Sequence, residues 1–356
     1  MKHIAFVINN IYGKGGTERV TSQLANLLIN YYDITIISLK SGQNINFYVD
    51  ERIDIIELRG ISENKLVRRL FNLIELNKHI TNKNIDMFIN VDITLSLYTL
   101  PFRKRVKNIS WEHFNFFSES NSRIRQFSRK ISSRYSDAVV VLSDADLKNY
   151  QSNLKRYSNI KRIYNPIAFN KEVGGYNLNS KVVLSVGRLE SQKGFDILLD
   201  AWKNVSNDGS WVLKIIGDGS KKEELLAKIS QNHINNVIIS PFTNDIEKEY
   251  INSAIYVMSS RYEGFGLALA EAQSKGLPLI TFDCPEGPAE IVGYGDYGIL
   301  IENGNVQSLS NELSSLMNSV ELREYWSNAS LKGANRFNTQ EILNEWINLF
   351  EEIWEQ

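Results

Sequence analysis

Short apolar runs alternate with helical patterns along the whole chain, and this alternation restricts the fold more than any other feature. In the first half the runs are His3–Ile8, Ile34–Ser38, Ile53–Leu58, Met87–Val91, Asn108–Trp111 and Ala138–Leu142. The second half repeats the pattern at Val182–Val186, Val212–Ile216, Val237–Ile239, Ile255–Met258, Leu279–Thr281 and Gly298–Ile301. Between several of the first runs, apolar residues recur at helical spacing, as at Val20, Leu24, Leu27 and Leu28. Strands that alternate with helices form parallel sheets wrapped by helices, here twice over. A chain of 356 residues is too long for one ordinary core and suits two domains of about 170 residues each. The weakly apolar stretch from Asn170 to Ser180 is the expected hinge, and Asn338 to Trp354 reads as a long terminal helix.

Composition narrows the class. With 43% apolar and 23% charged residues the chain is globular. Cys284 is the only cysteine, so no intrachain disulfide can form and a reducing cytoplasm is the expected setting. The run Ile4–Ile8 is too short for a signal peptide, and no apolar run is long enough to span a membrane.

Two loops carry the chemistry. In Glu263-Gly264-Phe265-Gly266-Leu267-Ala268-Leu269-Ala270-Glu271, good helix formers follow two glycines and lead to the stop Gly276-Leu277-Pro278. Glu271 is therefore expected about a turn inside a helix, with Glu263 on the turn entering it. The glycines let backbone amides approach a ligand, and the free amides of a helix start favour phosphate or a polarised oxygen. Each carboxylate could then accept hydrogen bonds from the hydroxyls of a different sugar. The plainer reading is a strand–loop–helix corner with solvated glutamates. The second loop, Gly187-Arg188-Leu189-Glu190-Ser191-Gln192-Lys193-Gly194, follows the buried-strand run Val182–Val186. Arg188 and Lys193 are delivered from a strand's carboxyl end, where open α/β sheets bind ligands, and an Arg with a Lys suits a diphosphate.

Three further motifs are weaker. Gly13-Lys14-Gly15-Gly16-Thr17-Glu18 follows the first strand and opens a helix, but its glycine spacing does not fit a dinucleotide fingerprint. Thr17 is a candidate helix cap. Trp111-Glu112-His113-Phe114 places His113 at a strand's carboxyl end, where a structural histidine is the common alternative. Asp144-Ala145-Asp146 has the form of a metal-binding Asp-x-Asp, yet capping by Ser143 or Asp144 explains it, and the four histidines and Cys284 show no ligand spacing.

Taken together the chain resembles the retaining glycosyltransferases of family 4, which have the GT-B fold. The resemblance rests on Gly15-Gly16-Thr17-Glu18-Arg19, Asn165-Pro166, Gly187–Gly194, Ile216-Gly217-Asp218-Gly219, the Glu263/Glu271 pair and Asp283-Cys284-Pro285-Glu286-Gly287-Pro288-Ala289-Glu290-Ile291-Val292. It implies an α/β chain with two Rossmann-like parallel-sheet domains facing across a cleft. Residues 1–165 would bind the acceptor, 166–337 the nucleotide sugar, and 338–356 would cross back to the first domain. The resemblance makes His113, Arg188, Lys193 and Glu263 catalytic, with Glu263 on the donor sugar and Glu271 on the ribose. It adds Gly15, Gly16, Gly187, Phe265, Gly266 and Leu267 as donor-binding residues. Fixed donors would stabilise the departing diphosphate, so no metal and no cofactor are expected. Uridine diphosphate sugars are the commonest donors in the family, and bacterial capsule, exopolysaccharide and O-antigen assembly its commonest setting.

Charge is unevenly shared. Residues 1–165 hold 25 Lys/Arg against 15 Asp/Glu, whereas residues 166–356 hold 15 against 26. The basic half suits an anionic partner. Its densest patch is Arg103, Lys104, Arg105, Lys107, Arg123, Arg125, Arg129, Lys130 and Arg134, interleaved with Trp111, Phe114, Phe116, Phe117 and Phe127. With no nucleic-acid module in sight, an anionic membrane surface and a lipid-linked saccharide acceptor are the expected partners. Residues 64–80, with Leu66, Val67, Leu70, Phe71, Leu73 and Ile74 on one face, could lie on that surface or pack on the core. The expected place is the cytoplasmic face of the membrane. A nucleotide-sugar epimerase of the same architecture, or a non-catalytic subunit of a polysaccharide assembly machine, are the alternatives.

Overall fold

The computed structural model describes the chain apart from residues 59–63, 118–121, 155–158, 168–176, 178, 206–208 and 356, and the side chains of 65 and 66. Most of the expected hinge thus lies outside the described residues, as does the side chain of Leu66. Two compact units are present: Met1–Pro166 together with Thr339–Gln356, and Ile167–Asn338.

The first unit contains β1 (His3–Ile8), β2 (Asp33–Ser38), β3 (Asp54–Glu57), β4 (Met87–Asn90), β5 (Lys107–Trp111), β6 (Ala138–Val141) and β7 (Asn159–Arg162). They form one parallel sheet in the order β3-β2-β1-β4-β5-β6-β7. Residues of β1, β4 and β6 are fully buried along most of their length, as expected for strands covered on both faces. β7 is not among the apolar runs of the sequence. Its Asn-Ile-Lys-Arg sequence has one apolar residue, and the edge strand is held by its ladder to β6, not by burial.

Helices α1 (Gly16–Leu28), α2 (Lys65–Lys83), α3 (Ser96–Thr99), α4 (Arg123–Tyr135) and α5 (Asp144–Asn153) follow these strands. α1 buries Val20, Leu24 and Leu28 of the face read from the sequence, while Leu27 is half-buried. In the second unit come β8 (Val182–Val186), β9 (Val212–Ile216), β10 (Val237–Ser240), β11 (Ile255–Met258), β12 (Leu279–Asp283) and β13 (Ile299–Glu302). Their parallel sheet runs β10-β9-β8-β11-β12-β13. Its helices are α6 (Phe195–Asn204), α7 (Lys222–Gln231), α8 (Ile246–Ile251), α9 (Leu267–Ser274), α10 (Pro288–Ile291), α11 (Val306–Asn318) and α12 (Val320–Ala334). One core joins Leu198, Leu199 and Trp202 of α6 to Leu213, Ile255 and Leu313.

The last helix, α13 (Thr339–Glu355), belongs to the first unit. Trp346 is fully buried on it, its ring 5.1 Å from Trp111 of β5. Phe350 and Trp354 stand 5.6 and 5.5 Å from Tyr32. Phe350 is fully buried, and withdrawing such a side chain from water stabilises the unit by roughly 1.5–3 kcal/mol.

Both sheets reverse strand order at their first strand, because β1 lies between β2 and β4, and β8 between β9 and β11. The loops leaving the carboxyl ends of β1 and β4, and of β8 and β11, therefore diverge there and leave room for a ligand.

Candidate functional site

In the second unit the two motif loops meet at this switch point. β8 ends at Val186 and the chain turns through Gly187 to Gly194, which takes the left-handed φ of 62° and opens α6. A Cβ on Gly194 would stand 2.0 Å from the Ser259 carbonyl oxygen, so only glycine lets the loops after β8 and β11 come this close. Lys193 Nζ lies 2.6 Å from Glu263 Oε1, and Ser260 Oγ donates to the same oxygen at 2.5 Å. The side chains of Lys193 and Glu263 are only 16% and 6% exposed, so this ion pair is largely withdrawn from water. Gly187 permits it: a Cβ there would press on three carbons of the Lys193 stem at 3.2 Å.

Arg188 stands apart from that pair. It is exposed, with Nη2 3.3 Å from Gln192 Oε1. Glu190, next along the loop, accepts from the Ser220 amide and hydroxyl at 2.8 Å each, and the amide first and the hydroxyl second lower its pKa.

Gly266, with φ 99°, caps α9, and Leu267 is the first helical residue. Glu271 lies on α9 with 1% exposure, and its Oε2 accepts from Tyr250 Oη at 3.0 Å. Phe265 turns inward instead, its ring edge-on to Phe337 at 5.7 Å.

In the first unit the glycine turn after β1 differs from expectation. The cap of α1 is Gly15, not Thr17, and the Gly15 amide already donates to Glu18 Oε2 at 3.1 Å. A Cβ on Gly13 would stand 2.5 Å from the other Glu18 oxygen, so the turn encloses this carboxylate. Gly16 begins the helix.

His113 follows β5. Its ring is 4.4 Å from that of Trp111, and its Nε2 is shielded from solvent with no hydrogen-bond partner among the described residues. Burial pushes its pKa down to about 4, with the Asp92 carboxylate pulling the other way. Beside it, Glu112 is buried and paired with Arg125 and Arg129 at 3.0 Å each, and Asp92 takes Arg125 Nη2 at 2.9 Å.

These pairings correct the reading of the basic patch. Arg125 and Arg129 are 6% and 2% exposed, so two of its cations face the core, as does the fully buried Trp111. The desolvated guanidiniums are neutralised by Glu112 and Asp92, which sequence order could not pair with them. Phe117 and Phe127 remain 55% exposed each. On α2, Val67, Leu70, Phe71 and Ile74 are exposed, while Leu76 and Ile80 enter the core, so the helix has two apolar faces.

Ser143 caps α5 by accepting from the Asp146 amide at 3.1 Å. Asp146 is buried and accepts from the Phe116 amide at 2.7 Å, whereas Asp144 meets Arg162 at 3.3 Å. Among the described residues no group of three or more His, Cys, Asp or Glu is placed to hold a metal.

Ser260, Tyr250, Asp92 and the partners of Glu112 carry no motif that singles them out in the sequence. One signal is available there: Arg125 and Arg129 are four apart on a helix and so share a face.

Comparison with known proteins accounts for the architecture. Residues 14–171 match the model described as Glycosyltransferase Family 4, and residues 167–333 match Glycosyl transferases group 1. The amylovoran biosynthesis glycosyltransferase AmsD of Erwinia amylovora is 33% identical over 362 residues, covering 97% of this chain and 99% of the relative. A Campylobacter jejuni N-acetylgalactosamine-N,N'-diacetylbacillosaminyl-diphospho-undecaprenol 4-alpha-N-acetylgalactosaminyltransferase is 24% identical, covering 94% of this chain and 95% of its own. In structure, a point mutant of Staphylococcus aureus TarM, solved with Fondaparinux, alpha-GlcNAc-glycerol and UDP, superposes with TM-score 0.85 at 17% identity, covering 98% of this chain and 100% of its own. Two family models that together span the chain from residue 14 to 333, and a relative 33% identical over almost its whole length, place this chain in glycosyltransferase family 4, with the GT-B fold.

Proposed function

We propose that this glycosyltransferase moves a hexose or N-acetylhexosamine from a nucleotide diphosphate sugar, a UDP-sugar above all, to a lipid-linked saccharide in bacterial surface polysaccharide assembly. Transfer retains the anomeric configuration and needs no metal or cofactor. The observation that carries this reading is the Lys193–Glu263 pair at the switch point of the second sheet, with buried Glu271 on the next helix. Lys193 and Arg188 meet the diphosphate, Glu263 the hydroxyls of the transferred sugar, and Glu271 the ribose. The start of α9 at Gly266 and Leu267, and the backbone at Gly187, lie beside the phosphates; Gly15 and Gly16 are assigned to the donor from the first unit. When donor enters, Lys193 gives part of its pairing with Glu263 to phosphate oxygen, and Ser260 keeps the carboxylate in place.

The bond from the anomeric carbon to the phosphate oxygen breaks, leaving charge on the diphosphate that the fixed cations stabilise. The acceptor hydroxyl oxygen bonds to the same face of the sugar, and its proton leaves on the diphosphate. His113 is the substrate-facing group of the first unit in this scheme.

The named activity of the Campylobacter relative, on an undecaprenol diphosphate, supports the lipid-linked acceptor, and the UDP bound to TarM supports the donor. AmsD, named for amylovoran biosynthesis, supports the polysaccharide setting. Docking on the inner, anionic face of the cell membrane is supported by the first unit. There α3 packs against both α2 and α4, and exposed Leu70, Phe71, Ile124 and Phe127 lie on helices that also carry Arg68, Arg123 and Lys130. No helix of the described residues is long and apolar enough to cross a membrane.

Calorimetry against a panel of nucleotide sugars, followed by transfer to an undecaprenol-linked saccharide in excess chelator, tests the reading. Binding of a UDP-sugar and chelator-resistant transfer are expected. A requirement restored by magnesium or manganese would return Asp144 and Asp146 as ligands. Donor consumption without acceptor would favour an epimerase.

A further inference from the structure

The Glu112 carboxylate, next to His113 at the end of β5, is encircled by donors. Arg125 Nη1, Arg129 Nε and Tyr150 Oη each reach it at 3.0 Å, and the Phe114 amide at 3.2 Å. With Asp92 on the far side of Arg125, two cations and two anions share one buried cluster. Such a cluster is a poor source of stability, because desolvating each charge offsets much of the attraction between them. Burial raises the pKa of the carboxyl while Arg129 and then Arg125 pull it down, and burial followed by Glu112 keeps the Tyr150 phenol protonated as a donor.

What the cluster does is tie down a turn. Arg129 Nη1 and Nη2 donate to the carbonyls of Phe116 and Asn115 at 2.5 and 2.8 Å, and Asp146 accepts from the Phe116 amide. The Arg125 and Arg129 guanidiniums lie over the rings of Phe114 and Phe116 at 4.3 and 5.3 Å. Residues 114, 115 and 116 are thus each held through the backbone by a charged side chain. The histidine between the anchors ends differently, with its Nε2 shielded and unpartnered among the described residues. A buried polar atom with no partner among the described residues, in a turn so heavily braced, points to a hydrogen bond kept for substrate.

We propose that Glu112 is a positioning residue for sugar transfer: with Arg125 and Arg129 it fixes the 112–116 turn so that His113 Nε2 is presented to the donor sugar. This rests on the substrate-facing part given to His113 above. Burial keeps the imidazole neutral, so it adds no third cation to the cluster.

A double-mutant cycle tests the link. Glu112→Gln, His113→Ala and the pair together are compared for kcat and donor KM with UDP-glucose or UDP-N-acetylglucosamine, whichever the enzyme turns over. UDP affinity by calorimetry and melting temperature are followed alongside. His113→Ala is expected to lower kcat on the order of 10²-fold, the size of a typical hydrogen-bonding or proton-transfer contribution. Glu112→Gln should lower kcat roughly 10-fold by misplacing the ring, with donor KM and UDP affinity unmoved. On top of His113→Ala, Glu112→Gln should then cost nothing more. The same further loss in both backgrounds, or a lower melting temperature with kcat intact, overturns the positioning role. Full kcat in His113→Ala removes the part given to His113, and the inference falls with it while UDP binding can still uphold the donor site. If Glu112→Gln does not fold, Tyr150→Phe removes one donor to the carboxylate and is carried through the same cycle. It should lower kcat several-fold on the order of a lost hydrogen bond, and only while His113 is present.

Discussion

Glu263 and Glu271 are both buried carboxylates, yet their partners differ in charge, and so should the effects of removing them. Glu263 is paired with Lys193 and Ser260, Glu271 with the neutral Tyr250 hydroxyl. Glu271→Ala should weaken UDP binding about 10-fold or more, the loss of hydrogen bonds to a charged group, as measured by calorimetry. Glu263→Ala should leave UDP affinity nearly unchanged while abolishing transfer. An equal loss of affinity in both would contradict the division. The two cations also separate. Arg188→Ala and Lys193→Ala should each cut turnover on the order of 10²-fold. Arg188 is exposed and its loss should spare the melting temperature, whereas Lys193→Ala strands a buried carboxylate and should lower it. His113 supplies a pH prediction. Its folded pKa is about 4 and that of an unfolded histidine about 6.5, so between these values the unfolded chain binds the extra proton. The histidine's contribution to stability is full above about pH 6.5 and is lost as pH falls toward 4. The gap in melting temperature between the native chain and His113→Gln should therefore shrink across that window, and a constant gap would refute it.

Among the elements, α13 shows how a distant segment completes a core. Trp346 fills the space beside Trp111 and Phe350 packs on Tyr32, so the end of the chain belongs to the first core. Trp346→Ala should cost about 3–5 kcal/mol, followed by urea unfolding, since a fully buried ring leaves a cavity. Unchanged stability would show that the helix only rests on the unit. Strand positions are legible in the sequence because fully buried parallel strands are continuous apolar runs, as in Ala138–Val141. β7 is not, because an edge strand needs hydrogen bonds on one side and little burial. The caps are half legible. Ser143 caps α5 as its position suggests, while at α1 Gly15, two residues before the expected threonine, takes the position because Glu18 reaches its amide.

For the molecule as a whole, the charge asymmetry has a reduced but definite base. Arg125 and Arg129 are spent inside the first unit and Lys107 is paired with Asp137 at 3.5 Å, so the membrane docking proposed above falls to the exposed patch cations and the apolar face of α2. Each such cation contributes on the order of 1 kcal/mol near anionic lipid and is screened by salt. The protein should sediment with phosphatidylserine or cardiolipin vesicles at low salt and be released at high salt. Replacing Leu70 and Phe71 together by Ser should reduce sedimentation further. Equal binding to neutral vesicles, or none under either condition, would leave the basic half without this use.

The sequence by itself determined two parallel sheets and the family to which the chain belongs, and it marked the two loops proposed here as the donor site, because periodicity and turn residues act over short stretches. Only the tertiary structure decided which charges meet. Lys193 and Glu263 are 70 residues apart and touch because β8 and β11 are neighbours, an adjacency that no local pattern encodes. Glu112 finds Arg125, Arg129 and Tyr150 at separations of 13, 17 and 38 residues, across β5, α4 and α5. A charge in a sequence is written as if in water. Whether it is solvated or buried against an opposite charge depends on the packing around it, and packing set two arginines that the sequence reading placed in a surface patch against the buried Glu112.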